Sequence, residues 1–178
     1  MAGMEVIDHQ TVGSGGASSI SFTSIPDTYR HLYVVGSFRS DASSARFSGD
    51  SVTFNDDTGS NYSYSALFTT GNAPVATEET GRANLNYLFT ANASGSVANA
   101  FAAGSMWVLD YAATDKFTGV IGGASAVNDN LDTSDYFEGL ISGHWKSTAA
   151  VNKITIASGS GNYVQYSEAT LYGLNSAS

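Results

Sequence analysis

An antiparallel β-sandwich of jelly-roll or related Greek-key type, all-β and built from about ten short strands, is the fold class that this sequence predicts. Apolar and polar residues alternate along short runs such as Ile20-Ser21-Phe22-Thr23-Ser24, which is the period of a half-buried strand. Clusters of Gly, Ser, Asn and Asp separate these runs at hairpin spacing. Outside residues 70–103 no segment has the i, i+3, i+4, i+7 pattern of a long amphipathic helix, so crossover helices are missing.

The elements follow in order. An opening strand falls near Glu5–Thr11, and Ile20–Ser24 comes next. Leu32–Phe38 is β-branched and aromatic and reads as a central strand. Ile25-Pro26-Asp27-Thr28 turns the chain between them, because Pro fixes φ and Asp can bond its own downstream backbone. Asp50–Asn55 and Asn61–Thr69 flank the turn cluster Asn55–Asn61, which is longer than a tight two-residue turn. Ser105–Ala112 and Lys116–Ala124 are joined at hairpin length by Ala112-Ala113-Thr114-Asp115. Tyr136–Trp145, Asn152–Ala157 and Tyr163–Gly173 complete the set, the last two separated by Ser158-Gly159-Ser160-Gly161-Asn162. The stretch Thr70–Ala103 departs from this order, and a structureless loop of that length is uncommon unless it does something. Leu85–Thr90 reads either as one more strand or as part of an excursion that touches a neighbouring subunit, and Val97–Ala103 as a short helical turn.

Composition bounds the function. At 178 residues the chain predicts a single domain, 1–178, with residues 1–12 as a docking arm and 70–103 as the contact excursion. Charged residues are 13%, half the usual share of about 25%, and Gly, Ser, Thr, Asn and Ala take their place. Aromatics at 12% argue against disorder. With no Cys, disulfide scaffolds, thiolate zinc sites and Cys nucleophiles are excluded. A net charge of −9 disfavours nucleic acid and anionic membranes, which need clustered Lys and Arg. No apolar run approaches the ~20 residues of a membrane span. Met1–Val12 lacks the basic and apolar regions of a signal peptide, so synthesis and folding in a cytoplasm without cleavage are expected.

Motifs for chemistry are weak. His9, His31 and His144 have no second ligand at metal-like spacing, and no cofactor is expected. The acids Asp56-Asp57, Glu78-Glu79 and Asp129/Asp132/Asp135 sit in predicted loops, where carboxylates are ordinarily just solvated, and no catalytic residue is assigned. Asn128–Asp135 fails the EF-hand pattern, since Thr133 and Gly139 stand where Gly and Glu are needed, leaving only an irregular calcium site open. No Walker Lys and no Gly-x-Ser-x-Gly elbow occurs. Trp107 and Trp145 are both expected in the core, with Tyr62, Tyr64 and Trp145 as the alternative sugar-stacking platform.

Ile20–Leu32, with its strand–Ile-Pro–Tyr–Leu pattern, then Val34–Asp41, resembles the opening of small tailed-phage virion proteins. Phe54-Asn55, Asn61-Tyr62-Ser63, Asp110-Tyr111, Gly143–Thr148 and the ending Ala169-Thr170-Leu171-Tyr172-Gly173-Leu174 are similar to signposts of the same group. The resemblance covers most of the chain except Thr70–Ala103 and the Asp129–Asp135 loop, and it transfers no catalytic residue. It implies a non-enzymatic virion structural protein on the outer surface of the particle, a capsid decoration or cement protein whose partners are the major capsid protein and itself, as a homotrimer. Under that reading the contacts are Glu5, Val6 and Ile7 of the N-terminal arm Met1–Gln10, with Leu85, Tyr87, Leu88 and Phe89. The alternative is a receptor-binding or tail-fibre tip module that recognises host-surface glycan.

Overall fold

A computed structural model describes residues 3–43, 46–70, 73–127 and 136–175, and among these the secondary structure is entirely β. The strands are β1 Met4–Thr11, β2 Ser19–Phe22, β3 His31–Phe38, β4 Phe47–Phe54, β5 Tyr62–Thr69 and β6 Val75–Arg82. They continue as β7 Leu85–Asn92, β8 Ala102–Leu109, β9 Thr118–Ala126, β10 Phe137–Trp145, β11 Ile154–Ala157 and β12 Glu168–Leu174. The candidate calcium segment Asn128–Asp135 and the first two residues of the N-terminal arm lie outside the described residues.

Two antiparallel sheets result, the small one ordered β2-β11-β4-β7 and the large one β1-β12-β3-β8-β9-β10-β5-β6. From β2 to β8 the chain passes between sheets in the jelly-roll sequence: small, large, small, large, large, small, large. A meander, β8-β9-β10, then fills the place of a single jelly-roll strand before β11 returns between β2 and β4. The expected sandwich is therefore present, wider than the sequence suggests because twelve strands replace about ten.

Alternation builds the core. Leu32 and Val34 of β3, Met106 and Val108 of β8, Val120 of β9 and Ile141 of β10 point inward from the large sheet. They meet Phe22, Val52, Phe54, Ile154 and Ile156 from the small one. Each such side chain contributes roughly 1.5–3 kcal/mol by leaving water. The strands of the meander approach closely at two glycines. A Cβ on Gly122 would lie 2.2 Å from the Ser105 carbonyl oxygen, and one on Gly123 2.2 Å from that of Gly139.

Three expectations need correction. Val75–Arg82 is a strand, not loop; it is the edge of the large sheet and exposed along most of its length, so no burial pattern marks it. Residues 97–101 form turns that lead into β8, not a helical turn. The N-terminal arm, from Met4 on, is not free: it pairs with β12 as the opposite edge strand. There Val6 is exposed, Ile7 packs against the core, and Glu5 accepts a hydrogen bond from the Tyr29 hydroxyl at 3.1 Å.

Candidate functional site

The parity that buries one set of side chains sends the other set to the outer face of the large sheet. Register aligns these outward residues in rows across the strands. One row runs Tyr33, Trp107, Ile121, Ser142, Ser65 and Glu78, from β3 to β6. The next runs Val35, Ser105, Gly123, Leu140, Leu67 and Ala76. Beyond β3, Tyr172 and Val6 extend the first row. Tyr33 touches Trp107 with ring centroids 4.7 Å apart and Tyr172 at 6.2 Å, a continuous aromatic strip.

Leu140 is 71% exposed and Leu67 54%, side by side at the middle of this face. Ile121 and Val35 are exposed as well. Beside the Leu140 ridge lies an open trough of about 700 Å³, floored by the small residues Ala103, Ser105, Gly123 and Ser125 and walled by Trp107 and Ile121. Contiguous apolar surface of this kind marks an interaction site far more often than a scattered exposed leucine does.

The electrostatics are one-sided. Arg82, at the very end of β6, is the only Lys or Arg in the eight strands of this sheet. The carboxylates of Glu78, Glu138 and Glu168 stand around the apolar middle on exposed positions. The chemistry available is apolar contact, aromatic contact and acceptance of hydrogen bonds at the rim.

Of the residues singled out in the sequence, Val6 and Trp107 reach this face and most of the others are placed elsewhere. Tyr62, Tyr64 and Trp145 are buried and form no sugar platform. Trp145 donates from Nε1 to Asp57 Oδ2 at 2.7 Å, and the Tyr62 hydroxyl donates to the Asp57 carbonyl at 3.0 Å. The Trp145, Asn61 and Gly59 donors hold the Asp57 carboxyl below its usual range, and burial pushes the Tyr62 phenol up to about 12. This cluster ties the Asn55–Asn61 turn to β5 and β10.

Leu85, Leu88 and Phe89 are also fully buried, so they touch the opposing sheet and not a neighbouring molecule. The reason is a bulge. Gly49 pairs with Thr90 and Ser51 with Asn86, leaving Asp50 on β4 opposite three residues of β7. Tyr87 takes φ 69° there and stacks on Phe68 at 5.0 Å, while both Leu88 and Phe89 turn inward. Trp107, expected inside, is half-exposed on the outer face. Glu5 and Val6 are exposed on the β1 edge.

Other polar groups are structural in their surroundings. The three histidines lie apart: His9 on β1 bonds Thr170 at 2.8 Å, His31 Nδ1 accepts the Asp110 N–H at 3.0 Å, and His144 is on the outward side of β10. Lys116 at 3.0 Å and Arg30 at 2.8 Å hold the Asp110 carboxyl below its usual range. Among the described residues no group of three or more His, Asp and Glu is placed to hold a metal ion. Asp50 is fully buried, its Oδ1 accepting the Gly159 N–H at 3.3 Å. Its Oδ2 and the facing Tyr163 hydroxyl have no partner within hydrogen-bond geometry. Burial pushes the Asp50 carboxyl up to about 7, and burial followed by the Asp50 charge pushes the Tyr163 phenol upward.

No protein-family model matches the chain, and no curated protein matches it. Similar solved structures include a protein of unknown function from Shewanella oneidensis MR-1, 12% identical, with 98% of this chain and 77% of that one covered and a TM-score of 0.23. Another is from infectious bursal disease virus, Gx strain, 10% identical, with 98% of this chain and 40% of that one covered and a TM-score of 0.14.

Proposed function

We propose that this chain is a non-enzymatic structural protein that works by adhesion through the outer face of its large sheet. The observation that carries this reading is the apolar middle of that face, Ile121, Leu140 and Leu67, with no Lys or Arg in the strand bodies around it. Exposing such surface is unfavourable by roughly 25 cal/mol per Å², and a docked partner removes that cost. The setting we assign is the outer surface of a tailed-phage head, as a decoration protein against the major capsid protein. This assignment rests on the resemblance carried by Ile20–Asp41 and Ala169–Leu174.

Purified chain is expected to co-sediment with phage heads that lack it, and Leu140→Glu is expected to abolish that binding while circular dichroism stays β-type. Unchanged binding by the variant, or turnover of any small molecule by the wild type, overturns the reading. A second reading, recognition of a host-surface glycan, is favoured by the strip Tyr172, Tyr33 and Trp107, since aromatic faces stack on sugar rings. It predicts glycan-array binding that is lost on Trp107→Ala with the fold intact.

A further inference from the structure

The outward face of the large sheet is complementary in shape to itself. The line between β9 and β10 divides it, and each row pairs bulky residues on one side with small ones on the other. In the first row Ile121 faces Ser142 across that line, and one strand further out Trp107 is matched by Ser65. In the second row the order reverses: Leu140 faces Gly123, and Leu67 is matched by Ser105. A two-fold axis lying in the face, along the strands and between β9 and β10, exchanges the two sides of every row. It sets each ridge of one copy over a hollow of the other, with Leu140 on Gly123, Leu67 on Ser105, Ile121 on Ser142 and Trp107 on Ser65. At the margin the same operation brings the Tyr33 hydroxyl over the Glu78 carboxylate, donor to acceptor.

We infer that the occupant of this face is a second copy of the chain, packed sheet to sheet about that two-fold axis. A foreign partner places no demand on how this chain's own two half-faces relate in size, whereas an isologous contact requires them to complement each other. Both sheets carry the same hand of twist, so they nest without splaying. From β3 to β6 the face spans about 24 Å, at ~4.8 Å per strand, and four outward rows span about 20 Å along the strands. With side-chain relief added to that plane, the area reaches the lower end of stable interfaces, about 600 Å² per partner. A dissociation constant on the order of micromolar is expected for so modest an area.

One contact works against the pair. Glu138 pairs with Ser125 across the same line, so the two Glu138 side chains stand about 5 Å apart laterally at the rim, like charge to like. The symmetry is two-fold and not the three-fold of a capsid trimer. The inference rests on the adhesive reading of this face and specifies its partner; each pair would then present its edges and loops to a larger particle twice, with the gain of avidity.

Sedimentation equilibrium of the full chain over a concentration series is the test, with dichroism to confirm that each variant folds. A monomer–dimer equilibrium is expected, broken by Leu140→Glu. Ser142→Ile fills the hollow that receives Ile121 and is expected to weaken the dimer at least tenfold, although it adds apolar surface. Combining it with Ile121→Ser in the same chain restores the match and is expected to recover most of the loss. Glu138→Gln is expected to tighten the dimer severalfold. Tightening by Ser142→Ile alone, no rescue by the double variant, or a trimer overturns the inference. A chain that stays monomeric, yet loses particle binding on Leu140→Glu, sinks the pair and leaves the adhesive reading standing. A dimer with no particle binding leaves the pair standing and overturns the assignment to a phage head.

Discussion

The two sheets turn faces of opposite chemistry to the outside, though both are made of strands that alternate in the same way. On the small sheet the outward row Ser21, Thr155 and Thr53 carries only hydroxyls, and Ser21 and Thr155 bond each other at 3.0 Å. The next row, Ser19, Ala157 and Ser51, is equally short, a single methyl group between two hydroxyls. This is how a sheet meets water on one side. The large sheet places Trp107, Ile121, Leu140 and Leu67 at the equivalent outward positions. One molecule thus holds its own control, and the apolar face is a property of these eight strands, not of the fold.

The hardest way to break the comparison is to strike the buried side that both faces share. Phe89→Ala removes a fully buried ring that meets Phe38 edge-on at 5.5 Å, and is expected to cost about 3–5 kcal/mol in a denaturant melt without changing association. A cost below about 1 kcal/mol would mean that β7 does not form the core wall described above.

Asp50 gives a pH-dependent break of similar size. Its folded value, about 7, lies above the ordinary 3.8, so between these pH values the native state holds a proton that the unfolded chain releases. Stability is therefore highest below this window, falls as pH rises through it, and levels off above about 7. The full span corresponds to about 4 kcal/mol at most. Asp50→Asn is expected to flatten that slope in melts taken from mildly acidic to neutral pH; an unchanged slope would place the charge elsewhere. Asp57 and Asp110, both held low, act with the opposite sign and only as pH falls below 3.8.

The smallest effects on folding sharpen the contrast of the faces themselves. Leu140→Ser and Thr155→Val each exchange the chemistry of one outward position and are expected to shift stability by no more than about 0.5 kcal/mol. Only Leu140→Ser is expected to change sedimentation, by abolishing association. A Thr155→Val chain that associates more strongly than wild type would show that any apolar spot suffices, and the distinction between the faces would fail.

Much of the sandwich was legible from alternation alone. Ile20–Phe22, Leu32–Phe38 and Ile154–Ile156 lie where their periods put them, and the Asn55–Asn61 turn closes as its Asp and Asn content suggests. Edge strand β6 escaped because an exposed strand has no burial period to read. The core role of Leu88 and Phe89 escaped for a different reason: adjacent residues share a side only at a bulge, which sequence spacing does not announce.

The outer face did leave a signal. Val34-Val35, Ala66-Leu67, Trp107-Val108, Val120-Ile121 and Leu140-Ile141 are adjacent apolar pairs, which put one member on each side of a strand. Such pairs read naturally as core in a run like Met106-Trp107-Val108-Leu109. Only parity set by fully buried neighbours, Phe137, Ile141 and Trp145 for β10, sends Leu140 outward.

The meander that stands in for one jelly-roll strand also orders events in time. Its ladders join neighbours in sequence, β8 to β9 and β9 to β10, whereas β1 with β12 must bring Met4 to Leu174. Loop closure is cheapest for the short separations, so the meander, like the β5–β6 hairpin, is able to assemble early and the terminal edge last. The Ile121 and Leu140 part of the proposed contact surface is then expected to form while the rest of the polypeptide is still searching, with self-capture in competition with closure of the sandwich.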